Sequence, residues 1–293
     1  MSDAGPGPTL AESRRPTSRR AIRRRRALLA GTLVLVALVV AIVYGVTSLT
    51  ASLRSPECTI NAAGITETFD PDQTANAALI AAISVKRGLP SRAATIALTT
   101  AFQESKIRNL NYGDRDSLGL FQQRPSQGWG TAEQILDPVH ATNAFYDALV
   151  KFKGYESADI TTIAQKVQRS GYPEAYRDHE GQGRVLASTL TGYSPAGLTC
   201  RLDPATTHAT SAVVKADLAE QMGVTSAGAA DGILTVTAGD ERRAWAVAHW
   251  AVARAQAYGA SKVTIGARAW DRGAGDDGWS TGQTSRTVTI TLT

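Results

Sequence analysis

Between Ala27 and Leu53 the chain carries no Asp, Glu, Lys, Arg or His, and the centre of the run reads LLAGTLVLVALVVAIVYGV. A helix needs about 20 apolar residues to cross a hydrocarbon core of roughly 30 Å, because each residue adds about 1.5 Å of rise. A backbone in lipid must satisfy its own hydrogen bonds, so a single span has to be a helix. Residues 27–53 are therefore expected to anchor the chain in a membrane. Eight arginines precede the run: Arg14, Arg15, Arg19, Arg20 and Arg23 to Arg26, opposed only by Asp3 and Glu12. Basic flanks stay on the cytoplasmic side. That places residues 1–26 inside as a disordered tail and everything after the span outside. Attraction to anionic lipid accounts for the arginine block, and no nucleic-acid partner is expected. A cleaved signal peptide is the competing reading. Its apolar core usually runs to about 7–15 residues, shorter than this one, although the small residues from Thr47 to Ser52 leave a cleavage site open.

The formal charge of +5 belongs to the tail. Without its eight arginines and two acids, 23 basic residues face 24 acidic ones, so the exported part is not a general binder of polyanions. Cys58 and Cys200 both lie in that part, where disulfides persist. With no CxxC spacing they most simply form one bridge, the alternative being two unpaired thiols. Closing so long a loop is worth on the order of 4–5 kcal/mol in the chain-entropy model.

Residues 57–200 read as a helical domain without strands. Pro56, Gly64 and Pro71 mark 54–71 as a connecting stretch. A helix starts at Asp72 or Thr74, buries Ala77, Leu79, Ile80, Ile83 and Val85, and stops at Gly88 and Pro90. Ser91 caps the next, RAATIALTTAFQESKI, with Ala94, Ala97, Leu98, Ala101 and Phe102 as its apolar stripe. After a turn-rich loop come HATNAFYDALVKF and ITTIAQKVQRS, and 172–191 supply one or two last helical turns. Residues 201–213 read as a linker. Residues 214–293 read as a small α+β domain, with strands in GILTVTA, KVTIGARAW and RTVTITLT around an amphipathic helix, RRAWAVAHWAVARAQAYG. The fold class expected is mainly α: one transmembrane helix, a helical domain and a small α+β domain behind it.

Glu104 is the residue with chemical interest, at the end of an apolar helix in AFQESKIRN. A carboxyl beside apolar surface loses solvation and its pKa rises, and a carboxyl that keeps its proton at neutral pH can serve as a general acid for a glycosidic bond. A lone Glu in a helix is usually a solvated surface residue, and spacing alone does not overturn that.

The surrounding motifs add to it. Glu104-Ser105, followed by Gly119-Leu120-Phe121-Gln122 fifteen residues after the Glu, resembles the lysozyme-like lytic transglycosylases of bacterial cell walls, of the exported actinobacterial type. The similarity covers roughly residues 72–190 and includes the stretch GDRDSLGLFQQRPSQGWGT. It implies an all-helical lysozyme-like domain acting on peptidoglycan glycan strands, without a cofactor. Glu104 would be the acid/base for the β-1,4 bond between N-acetylmuramic acid and N-acetylglucosamine. Ser105 would orient its carboxyl, Gly119 would let the backbone approach the saccharide, and Gln122 would hydrogen-bond an acetamido group. The family's third signature, a Tyr-Asn pair on a later helix, has no plain counterpart. Tyr176 is followed by Arg177, and the alternative match, Val167-Gln168, has Gln168 in the Asn place.

A hydrolase would want a second carboxylate. Asp114 and Asp116 are near enough in sequence, but Gly-Asp-Arg-Asp-Ser more often signals turn chemistry. Trp129 in SQGWG either stacks on a sugar or packs in the core, and Tyr176 either lines a cleft or packs likewise. His140, His179, His208 and His249 show no spacing that gathers a metal. Of Trp245 and Trp250, five apart on one helix, at least one is expected in the core. The second class of function that the sequence admits is a non-catalytic module that binds glycan or organises an envelope complex, with a protein partner on the C-terminal domain.

Overall fold

The computed structural model describes residues 19–52, 55–168 and 173–293. The expected tail lies outside them as far as residue 18. The chain divides into two units, residues 1–55 and 56–293. In the first, α1 spans Arg19–Ser52, and its stretch Leu28–Gly45 is apolar and long enough to cross a membrane. The helix begins earlier than the sequence suggests. It takes in the Arg19–Arg26 segment that was expected in a disordered tail, since arginine is a good helix former and no proline follows Pro16 there.

The second unit starts with strands where none were expected. β1 (Glu57–Ala62) and β2 (Ile65–Phe69) form a hairpin, and β3 (Leu198–Arg201) pairs antiparallel with β1 on its other side. The hairpin turn is Ala63-Gly64, both at positive φ, as a two-residue type I′ turn requires. The connecting stretch is therefore a sheet: its Pro and Gly residues bound short strands, and four-residue β3 finds its partner far away in sequence. Cys58 and Cys200 face each other in the β1–β3 register and are bonded.

The helical body comprises α2 (Pro71–Lys86), α3 (Ser91–Ser105), the short α4 (Ala132–Leu136), α5 (Pro138–Leu149), α6 (Ile160–Gln168) and α7 (Glu180–Leu190). A 3-10 segment, Pro173–His179, leads into α7, which is longer than the turn or two expected. The cap of α2 is Asp70 rather than Asp72 or Thr74, with Pro71 as first residue; likewise Pro90, not Ser91, precedes α3. Every residue from Ala77 to Val85 in α2 and from Ala93 to Ala101 in α3 is buried, so both are enclosed on all sides rather than striped. Small side chains allow it. A Cβ on Gly183 of α7 would fall 2.1 Å from Thr99 Oγ1 of α3.

The segment expected as a linker is stitched down: Ala209 N–H donates to the Tyr258 carbonyl, and α8 (Ser211–Met222) follows at once, capped by Thr210. Beyond it lies an antiparallel sheet of order β4-β5-β8-β6-β7 (Ala227–Ala230, Ile233–Thr237, Thr287–Leu292, Ala260–Ile265, Arg268–Asp271). The expected strand KVTIGARAW is two strands, β6 and β7, turning at Gly266. Between this sheet and the helical body runs α9 (Glu241–Ala253), followed by the short α10 (Ala255–Tyr258). All ten residues from Ala244 to Ala253 are buried, so α9 is not amphipathic, and Trp245 and Trp250 are both core. Side chains of the α+β part donate to the helical part: Trp279 Nε1 to the Leu198 carbonyl at 2.8 Å, His249 Nδ1 to Thr189 at 2.7 Å and Arg242 to Thr191 at 2.9 Å. Residues 56–293 thus form one compact unit.

Two predictions follow from this packing. Replacing both Cys58 and Cys200 by Ser should lower stability by about 2–5 kcal/mol, seen as a shift of the urea midpoint; an unchanged midpoint would show that the bridge does not hold the fold. Burial pushes His249 down to about 4, although its bond to the Thr189 carbonyl works the other way. The neutral ring's contribution should be complete above about pH 6.5 and lost as pH falls towards 4, an effect of about 3 kcal/mol. Urea midpoints across that range should slope more steeply for the wild type than for His249→Gln; parallel slopes refute the assignment.

Candidate active site

The last turn of α3 leaves the core at Glu104, and its neighbours are fixed by the residue that follows. Ser105 is buried, and its hydroxyl lies 2.7 Å from the Leu120 carbonyl and 3.1 Å from that of Ala101. This draws the Gly-Leu-Phe-Gln segment under the helix end. Leu120 and Phe121 are fully buried there, and Phe121 stacks on Phe145 of α5 with ring centroids 4.6 Å apart. The Phe121 carbonyl accepts from Gln168 Nε2, the last residue of α6, at 2.5 Å.

Glu104 sits half-buried at this junction. Tyr176, itself buried, donates its hydroxyl to Glu104 Oε1 at 2.5 Å. Burial raises the carboxyl above the usual range, and hydrogen bonds from Tyr176 and Gln168 to the ionised form oppose the rise. The position at a helix C-terminus also disfavours negative charge. Tyr176 is carried by the same 3-10 segment as His179, whose ring lies 4.7 Å from Phe102 of α3 and whose Nε2 is 3.2 Å from Lys106 Nζ. Burial, followed by the Lys106 charge, lowers the His179 pKa, which fits a neutral ring accepting from Lys106. Nothing in the sequence links His179 to Phe102, because the contact is made only by tertiary folding.

The structure thus brings together Glu104, Tyr176 and Gln168. It gives three other expected residues different partners. The Ser105 hydroxyl meets the Leu120 and Ala101 carbonyls. Gly119, at φ 76°, lies so close to Ile135 that a Cβ there would fall 2.6 Å from its carbonyl oxygen. Gln122 Nε2 lies 3.3 Å from the carbonyls of both Tyr112 and Gly119, so its amide pins the preceding loop.

Trp129 packs partly against the core and lines a groove of 330 Å³ with Phe152, Lys151, Lys166 and Val167. Asp116 accepts from Arg124 Nε at 2.6 Å and from the Ser126 N–H at 2.8 Å. The Ser126 bond first, and Arg124 with it, holds its carboxyl well below the usual range. Asp114 is exposed beside Arg115. Both acids belong to a turn. Among the described residues no group of three His, Cys, Asp or Glu is placed to hold a metal ion.

Because the Tyr176 hydroxyl stabilises the ionised carboxyl, Tyr176→Phe should raise the Glu104 midpoint further. A carbon-13 NMR titration of the side-chain carboxyl reads this directly, and a fall would contradict the geometry. No protein-family model and no curated protein matches the chain.

Proposed function

We propose that this protein is a lytic transglycosylase with a lysozyme-like helical body, cleaving the β-1,4 bond between N-acetylmuramic acid and N-acetylglucosamine in peptidoglycan. The observation that carries the proposal is the Glu104 carboxyl: raised by burial, and held by Tyr176 and Gln168 above a Gly-Leu-Phe-Gln segment. Protonated Glu104 gives its proton to the glycosidic oxygen as the bond from that oxygen to the muramyl C1 breaks. The resulting carboxylate takes the proton of the muramyl 6-hydroxyl while O6 bonds to C1, closing a 1,6-anhydro ring and restoring the acid. Burial favours the protonated form needed first. The two donors stabilise the carboxylate needed second.

One carboxyl suffices for this route. Asp116 has both oxygens engaged by Arg124 and Ser126, which favours transglycosylation over hydrolysis through a second carboxylate. The apolar stretch Leu28–Gly45 and the arginines before it fit a single-pass anchor with a cytoplasmic N-terminus, leaving Glu104 on the side where peptidoglycan lies. A non-catalytic glycan-binding module, with a protein partner on the α+β part, is the second reading. It is favoured by Arg177 in place of the family's Asn and by the internal engagement of Gln122.

Full-length protein in detergent, incubated with peptidoglycan, should release muropeptides with anhydro ends, identified by mass spectrometry. Glu104→Gln should cut that release by about 10²–10⁴-fold while retaining glycan binding. Folded wild type that releases nothing, or a variant as active as wild type, would overturn the enzymatic reading in favour of the binding module.

A further inference from the structure

Glu104 and Ser105 are followed by two consecutive residues in the left-handed region, Lys106 at φ 55° and Ile107 at φ 57°. Neither is glycine, and a β-branched residue there is a genuine outlier that persists only where its surroundings over-determine it. The α3 backbone closes through Lys106 N–H to Phe102 and Ile107 N–H to Ala101, both at 3.0 Å. The second of these rings is one residue wider than a Schellman closure. Ile107 is itself fully buried in the core.

The N-terminal turns of α2 grip three successive residues of this turn. Gln73 Nε2 donates to the Lys106 carbonyl at 2.8 Å, and Asn76 Nδ2 donates to the Ile107 carbonyl at 2.9 Å. Arg108 donates to Asp72 at 2.6 Å and also to Asp70. Three apart, Gln73 and Asn76 share one face of α2. The other end of the Gln73 amide is also engaged, since its Oε1 accepts from the Asp70 N–H at 3.0 Å. Flipping the amide would lose both bonds.

We propose that Gln73 and Asn76 are positioning residues: they hold the carbonyls of the left-handed Lys106–Ile107 turn and so fix the end of α3, where Glu104 meets Tyr176 and Ser105 meets Leu120. The effect on turnover rests on the peptidoglycan-cleaving reading; the effect on the Glu104 carboxyl does not. No substrate contact is assigned to either residue.

Gln73→Glu and Asn76→Asp test this in the full-length protein. Each keeps the shape, removes the donor and sets a carboxylate against the carbonyl, and Gln73→Glu preserves the acceptor for Asp70. Each should lower kcat about ten-fold or more with KM within about two-fold, and should lower the Glu104 midpoint towards that of an ordinary carboxyl, against the rise that a new carboxylate alone would cause. Folded variants with unchanged kcat and midpoint overturn the proposal. So does a loss of turnover that only tracks loss of folded protein by circular dichroism. If wild type cleaves no peptidoglycan, the cleavage reading falls, and the Glu104 midpoints of the variants against wild type decide the clamp by themselves.

Discussion

Nine consecutive residues of α3 have no face left for water, and this enclosure sets the conditions at its end. Alanine and threonine make it possible, because short side chains let α2 and α7 approach closely, with Gly183 seated against Thr99. A helix packed this way delivers its last turn at depth. Glu104 emerges where the enclosure stops, near enough to the core to lose much of its hydration and at the helix end whose carbonyls repel a negative charge. The raised carboxyl is a consequence of the packing and needs no nearby acid to explain it.

Packing alone would leave the Glu104 pKa higher still. The Tyr176 hydroxyl and the Gln168 amide work against burial, and under the proposed acid–base role both forms of the carboxyl must lie within reach at the operating pH. Both donors are themselves tied down. Gln168 is fixed by the Phe121 carbonyl, and the segment bearing Tyr176 rests through His179 on Phe102. The parts that tune Glu104 are therefore held by α3 and by the segment Ser105 draws beneath it, so a shift of the helix end would move carboxyl and donors together.

The sequence showed some of this and not the rest, for physical reasons. The long apolar run, the helices α2, α3, α5 and α6 and the sheet-forming stretches after residue 230 declare themselves through local pattern. Strands β1 to β3 do not, since they are short and their pairing joins residues from opposite ends of the helical body. Total burial of α3 and α9 also hides, because an alanine-rich helix reads as striped whether one face or all faces are covered. At the site, Glu104, Gln168 and Tyr176 were all legible as candidates, the last two through an imperfect motif. Ser105, Gly119 and Gln122 were legible as a motif but not as to partner: their contacts with Leu120, Ile135 and Tyr112 belong to loop packing, which no local pattern encodes. Gln73 and Asn76 were invisible, being ordinary polar residues on a helix until the turn they hold is seen.

α2 joins the two halves of the larger unit. Its first turns grip residues 106–108, its middle packs against α3, α5 and α7, and it also contacts α8 and α9 of the α+β part. The α+β part is thus one wall of the core that supports the carboxyl. Cutting the chain after Cys200 would expose the buried faces of α2 and α7 that α9 covers, and would remove the side-chain donors to the Thr189, Thr191 and Leu198 carbonyls. Loss of activity in such a truncation would therefore be expected from packing alone. A partner-binding role for the α+β part has to be sought through substitutions on its outer strand faces, where Thr235, Thr237 and Thr287 are exposed and a change leaves the wall intact.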